Sequence, residues 1–118
     1  MIRSTTRSNS FYSAFKIGIN NQIPVIIDNK TSDFYTIIEV NCKNAPGVLY
    51  RITKIIANLG LQINSASVST YGDRVVDIFY VKNMFGSKID DNLTIEKIKM
   101  HILKILEETD PANQMMIS

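Results

Sequence analysis

The stretch Asp33–Cys42 alternates between two sets of side chains, and this period of two is typical of a β-strand. Ile38 and Val40 would lie on one face of the strand, while Tyr35 and Ile37 would lie on the other. Because both faces carry large apolar side chains, the pattern predicts a strand that is covered on both sides.

A helix is predicted directly after this strand, because apolar residues recur there at the spacing of one helical face. The apolar positions are Val48, Leu49, Ile52, Ile55, Ile56 and Leu59. Gly60 follows where helices commonly end in a left-handed conformation that glycine tolerates. A second apolar stripe predicts another helix over Leu93–Glu107, and the polar residues before it favour capping and complement its dipole.

Two β-rich stretches, Leu61–Thr70 and Asp73–Lys82, are joined by a tight-turn signal around Gly72 and predict a hairpin. The apolar phase of the first stretch shifts at Asn64 and Ser65. Such a shift predicts a β-bulge at these residues.

The predicted fold is an α+β sandwich of the ferredoxin-like type, with two helices on one face of an antiparallel sheet. That fold normally closes with a fourth strand after the second helix, and the sequence offers no convincing strand there. A short apolar run begins at Pro24, which favours an edge strand, so we expect residues 24–27 to fill this edge. We expect one domain over 23–108, a flexible polar, basic extension over 1–22, and a tail over 109–118.

Composition narrows the class of protein. The chain has 118 residues, 45% of them apolar, and a net charge of +2, which is too weak a field to indicate nucleic acid. No apolar run is long enough to span a membrane. The single cysteine, Cys42, ends an apolar strand pattern and is expected to be buried and inert. We therefore expect a cytoplasmic protein without membrane attachment.

The basic extension has two interpretations. Arg3, Arg7 and Lys16 lie among many Ser, Thr and Asn residues, and no acidic residue precedes Asp28. A transit peptide would have this composition. The absence of a strong amphipathic pattern favours a linker-like or disordered extension instead.

Groups suited to catalysis are scarce. His101 is the only histidine and falls within the second helical pattern, so an ordinary helical position is favoured over a general base. One histidine and one cysteine cannot assemble a zinc site. Asp90 and Asp91 are expected to cap the second helix, and the segment Gly86–Lys88 lacks the glycine spacing of a phosphate loop. We expect no catalysis, no metal and no cofactor.

The turn before the first helix is the candidate binding element. Pro46 is tolerated in a first helical turn, and Gly47 removes a side chain beside the unpaired amides and the positive end of the helix dipole. These features suit a carboxylate or a phosphate. Asn44 could contact such a ligand. Alternatively, Asn44 only caps the helix and Gly47 only permits tight packing.

These residues carry a resemblance to a known family. The stretch "NCKNAPGVLYRITKIIANLGLQINSASVST" is similar to the ACT domain, a small regulatory module that binds amino acids. It most resembles the carboxy-terminal ACT domain of the bacterial enzyme that adds uridylyl groups to the PII nitrogen-regulatory protein and removes them. The resemblance covers Ala14–Leu106, and "TYGDRVVDIFYV", Thr70–Val81, is its most specific part. Ala45 departs from it, because the closer relatives usually have arginine or another polar residue there.

The resemblance implies a ferredoxin-like fold, pairing of two domains through sheet edges or helices, and a small amino acid, glutamine above all, as ligand. Carried over residue by residue, it implies binding by Asn44, Pro46, Gly47, Val48, Leu49, Ile63 and Asn64. The chain shows neither the nucleotidyltransferase nor the phosphohydrolase domain of that enzyme. It therefore resembles a detached module, with a separate catalytic subunit as a possible partner.

Two other functions compete with amino acid sensing. One is a structural pairing module without a ligand, left over from a larger uridylyltransferase. The other is RNA binding, because RNA-recognition motifs share this topology. The stretch "RVVDIFYV" argues against RNA, since Val75 stands where that motif has glycine and Asp77 would repel phosphate.

Overall fold

A computed structural model describes residues 23–109 of the chain. The predicted extension over 1–22, and the tail after residue 109, lie outside the described residues. The elements in chain order are β1 (Val25–Asp28), β2 (Thr36–Lys43), α1 (Val48–Asn58), β3 (Gln62–Tyr71), β4 (Arg74–Lys82) and α2 (Asn92–Thr109). The predicted fold class is confirmed, and α2 runs two residues past its predicted end.

The four strands form one sheet in the order β1-β2-β4-β3, and every neighbouring pair is antiparallel. β1 occupies the edge that a strand after the second helix would otherwise fill, as predicted, with Val25 opposite Val40. The Pro24 carbonyl accepts a hydrogen bond of 2.8 Å from the Asn41 amide, which extends the pairing one residue before the strand.

Both helices lie on one face of the sheet, which we call the helix side. Their buried residues pack with those of the strands into the larger core, which includes Ile38, Val40, Phe79, Ile52, Ile56, Ile98 and Ile102. The opposite face is buried as well, at Ile37, Val76, Ile78 and Tyr80. The prediction that β2 is covered on both sides is therefore confirmed.

The bulge in β3 lies where the sequence predicts it. Ile63 pairs with Val81 and Ser65 pairs with Tyr80, so Asn64 is the extra residue. Beyond the bulge, the strand continues in the opposite phase to the residues before it, because one extra residue reverses the alternation of side chains.

The ends of the helices also follow the predicted chemistry. Gly60 directly follows Leu59, the C-cap residue of α1, and has a φ of 84°. At the start of α2, the Asp91 carboxylate accepts hydrogen bonds from the Thr94 hydroxyl at 2.7 Å and the Leu93 amide at 3.3 Å. The bond from Thr94 is the largest of the effects that lower the pKa of Asp91.

Candidate functional site

The turn between β2 and α1 is anchored on the hairpin beside it. The Asn44 amide donates a hydrogen bond of 2.9 Å to the carbonyl of Asp73, which lies in the β3–β4 turn. The chain then passes through Gly47, the N-cap of α1, and Val48 is the first helical residue. This hydrogen bond holds the residues before α1 against the start of β4.

Gly47 adopts a left-handed conformation, with φ 80° and ψ −8°. A Cβ atom built on it would meet no other atom within 4 Å. Tight packing therefore does not explain the glycine, whereas the positive φ does, because other residues adopt it only at a cost. The space in front of Gly47 is open.

The amides of the first turn are not capped by a side chain. Asn44 therefore does not cap α1, which answers one of the two interpretations of this residue. Leu49 and Tyr50 have no intrahelical acceptor, because the residues four before them precede the helix. The sequence predicts that Pro46 lies in the first turn of the helix. It lies instead directly before the N-cap, outside that turn.

A cavity of about 100 Å³ opens beside this turn. It lies between the turn, the start of α1, the last residues of β3 and the first residues of β4. Of the predicted site residues, Asn44, Val48 and Leu49 line it, and Ala45 does so as well. The wall on the sheet side includes Val68 and Asp77, two residues that are not among the predicted site residues.

Asp77 is a buried carboxylate on the helix side of the sheet. It pairs with Val40 of β2 and Val68 of β3, and only 2% of its surface is exposed. Burial raises its pKa to about 6. The available signal was a single carboxylate inside the apolar run of β4, at a position in phase with Val75 and Phe79.

Ile63 and Asn64 lie at the other end of the sheet from this cavity. Ile63 pairs with Val81, which in turn pairs with Thr36 at the start of β2, whereas the cavity lies at the end of β2. A single chain therefore does not bring these two residues together with Asn44, Val48 and Leu49.

Two wider cavities lie elsewhere on the surface. One of about 490 Å³ lies between the loop after β1 and the loop after β4. The Lys88 ammonium beside it donates to the carbonyls of Asn29 and Ser32, each at 2.6 Å, and so ties the two loops together. The other, of about 240 Å³, is bordered by Leu59, Met84 and Phe85.

The described residues offer no site for metal binding. His101 is exposed on α2, and its Nδ1 lies 2.7 Å from the Lys97 carbonyl. Within residues 23–109, no group of three or more potential ligands could hold a metal ion. Over the same range, none of the helices is long and apolar enough to cross a membrane.

Comparison with known proteins gives the family. A family model described as the N-terminal ACT domain of the ACR family matches residues 31–108. The chain belongs to the ACT domain family. The matched range begins before β2 and ends within α2, so it includes the turn at Gly47 and the whole β3–β4 hairpin.

Several curated relatives share this ACT domain. The chain is 44% identical over 84 residues to a bifunctional uridylyltransferase/uridylyl-removing enzyme of Azospirillum brasilense, covering 71% of the chain and 9% of that enzyme. For the enzyme of that name from Rhodospirillum rubrum the identity is 44% over 87 residues, covering 74% of the chain and 9% of the enzyme. For the enzyme of the same name from Bradyrhizobium sp. (strain ORS 278) the identity is 38% over 112 residues, covering 95% of the chain and 12% of the enzyme. The chain thus spans about a tenth of the length of these relatives.

Proposed function

We propose that the chain is a non-catalytic regulatory ACT module that binds a small free amino acid, L-glutamine first, at the turn between β2 and α1. The relatives are named as enzymes that add and remove uridylyl groups. The module would report amino acid supply to such an enzyme, acting on the PII protein, as part of the same chain or as a separate subunit.

The observation that carries the proposal is the uncapped start of α1. Gly47 has no neighbour in front of it, and the first turn receives no side-chain hydrogen bond. The amides of Leu49 and Tyr50 and the positive end of the helix dipole would hold the α-carboxylate of a ligand. Asn44, which does not cap the helix, would donate or accept a further hydrogen bond.

The second part of the proposal is a pair of chains joined along β3. This strand forms an outer edge of the sheet over 10 residues. It contains no charged residue and no proline, the two devices that most often protect an exposed edge from pairing. A second copy would extend the sheet through this edge in antiparallel orientation.

Such a pair would complete the predicted site. If the two β3 strands pair symmetrically about their middle, Asn64 of one copy lies opposite Ser69 of the other. Asn64 and Ile63 would then lie near Val68 of the other copy, beside its cavity. All seven predicted residues would contribute to one site, five from one chain and two from its partner.

Calorimetry and thermal unfolding with L-glutamine and each of the other common amino acids test this proposal, with light scattering for the mass in solution. We expect heat and a raised Tm with L-glutamine and the mass of a dimer. A ligand at one hundred times its Kd stabilises the folded state by about 2.7 kcal/mol. Asn44→Ala should weaken binding, whereas Asn58→Ala, at the exposed opposite end of α1, should leave it unchanged.

A structural pairing module without a ligand is the second candidate. In the single chain the cavity, about 100 Å³, has room for no more than the charged end of an amino acid, which favours this candidate. A dimeric mass together with no heat and no change in Tm for any amino acid would contradict sensing and support this function.

A further inference from the structure

Asp77 is the one feature of the candidate site that a simple anion receptor does not explain. Its side chain points to the helix side of the sheet and lines the cavity with Asn44 and Leu49. Within residues 23–109 its carboxylate makes no hydrogen bond and no ion pair. A buried polar group without a partner is costly, so native proteins usually provide one.

The charge of Asp77 decides what kind of partner fits. Its pKa of about 6 leaves it ionised at neutral pH. Lys43 also lines the cavity, but its side chain is exposed and does not pair with Asp77. A buried carboxylate repels a phosphate or a simple carboxylic acid and attracts a cation that can donate hydrogen bonds.

We propose that Asp77 accepts the α-ammonium group of the ligand whose carboxylate lies at the start of α1, so that the site selects zwitterionic α-amino acids. This inference rests on the proposed function and adds to it the residue that would recognise the ammonium group of the ligand. The α-carboxylate of the ligand would face the amides at the start of α1, and its α-ammonium group would face the buried carboxylate of Asp77.

The size of the cavity agrees with this arrangement. About 100 Å³ equals the liquid volume of roughly three water molecules at ~30 Å³ each, enough for the charged end of an amino acid. The side chain of the ligand would extend outward over Leu49 and Val68. Val68 is 51% exposed and lies on β3, the edge at which a second copy would approach.

The test compares two ligands on three proteins by calorimetry at pH 7.5. The ligands are L-glutamine and the analogue in which hydrogen replaces its α-amino group. The proteins are the wild type, Asp77→Asn, and Asp33→Asn as the matched control, since Asp33 is exposed just before β2, at the other end of that strand from the cavity, and does not line it.

We expect Asp77→Asn to weaken L-glutamine binding at least tenfold and Asp33→Asn to leave it unchanged. The wild type should bind the amine-free analogue at least tenfold more weakly than L-glutamine, because the analogue leaves Asp77 unpaired. Asp77→Asn should bind the analogue at least as well as the wild type does, because the repulsion is removed. Equal L-glutamine affinity of wild type and Asp77→Asn would overturn the inference and leave the proposed function standing.

Carbon-13 NMR of the Asp77 carboxyl gives a second measurement that does not depend on a variant folding. Bound L-glutamine should lower the pKa of Asp77, since a neighbouring positive charge favours the ionised form. An unchanged pKa in the saturated complex would contradict the inference. If no amino acid binds the wild type at all, the inference and the proposed function fall together.

Discussion

The two edges of the sheet are built differently. β1 closes one edge with 4 residues, follows a proline, and packs against α2, with Val25 only 6% exposed. β3 forms the other edge over 10 residues, most of which are exposed and none of which is charged. The β1 edge is thus part of the core of the chain, while the β3 edge is available for pairing with another strand. The candidate site lies beside this available edge.

The largest effect should come from a charge on the available edge. Ala66 is exposed near the middle of β3, so Ala66→Glu would place two like charges close together in a symmetric pair. We expect at least a 100-fold weaker dimer, because facing like charges cost several kcal/mol. Sedimentation or light scattering over a range of concentrations measures it.

Met100→Glu is the matched control for this experiment. Met100 is an exposed apolar residue on α2, with 67% of its surface accessible. Pairing through β3 predicts that this variant remains dimeric. Loss of the dimer in Met100→Glu, and its retention in Ala66→Glu, would show that the chains pair through their helices.

A smaller effect is expected when the same substitution is made at both edges. Val25→Ala should lower the free energy of unfolding by about 1 to 2.5 kcal/mol, because it removes buried methyl groups from the core. Val68→Ala should change it by less than about 0.5 kcal/mol, because Val68 is half exposed. Both free energies of unfolding should be measured by urea unfolding in the Ala66→Glu background, so that dimer formation does not contribute to them. Equal losses would contradict the distinction between the two edges.

Val68→Ala should still weaken ligand binding, since this residue lines the cavity. Calorimetry with L-glutamine in the otherwise wild-type chain separates this effect from stability. Val25→Ala, which is remote from the cavity, serves as its control.

The pH-dependent effects concern two carboxylates, Asp77 beside the available edge and Asp28 at the end of β1. Burial raises the pKa of Asp77 from 3.8 to about 6. Burial acts in the same direction on Asp28, but hydrogen bonds from the Thr31 hydroxyl and from the amides of Lys30 and Thr31, with the charge of Lys88, outweigh it and lower the pKa. The two residues should therefore affect stability with opposite dependence on pH.

For Asp77, the folded state binds more protons than the unfolded state between pH 3.8 and about 6. Stability is then highest below this window and falls by about 1 to 2 kcal/mol as the pH rises through it, with water at the cavity mouth reducing the effect. The contribution of Asp28 is complete above pH 3.8 and is lost as the pH falls through its lower folded value. Unfolding curves of Asp77→Asn and Asp28→Asn from pH 3 to 8, each subtracted from the wild type, should slope in opposite directions.

The local structure could be predicted from the sequence because it depends on neighbouring residues. The alternation over residues 33–42 gives the two faces of β2, Gly60 gives the end of α1, and the phase shift at Asn64 gives the bulge. The edge position of β1 follows from Pro24 and from the lack of a closing strand. Each of these signals lies within a few residues of the feature it predicts.

The cavity could be predicted only in part. The turn residues Asn44 and Gly47 carry a local signal, but Asp77 joins them through strand pairing that brings residues 33 positions apart along the chain into one wall. Which residue of β4 lies opposite Val40 depends on register, which no local pattern in β4 fixes. The proposed contribution of Ile63 and Asn64 would depend further on how two copies of the chain pair.

The bulge at Asn64 has a consequence for the chemistry of the cavity. In β3 the serines at 65, 67 and 69 alternate with Ala66, Val68 and Thr70. The single inserted residue turns the second set toward the helices, so that Val68 lies beside Asp77. If Asn64 instead paired regularly with Tyr80, the two sets would exchange and Ser67 would lie opposite Asp77. Its hydroxyl could then donate a hydrogen bond to the carboxylate and supply, within the chain, a partner that the proposed ligand would otherwise provide.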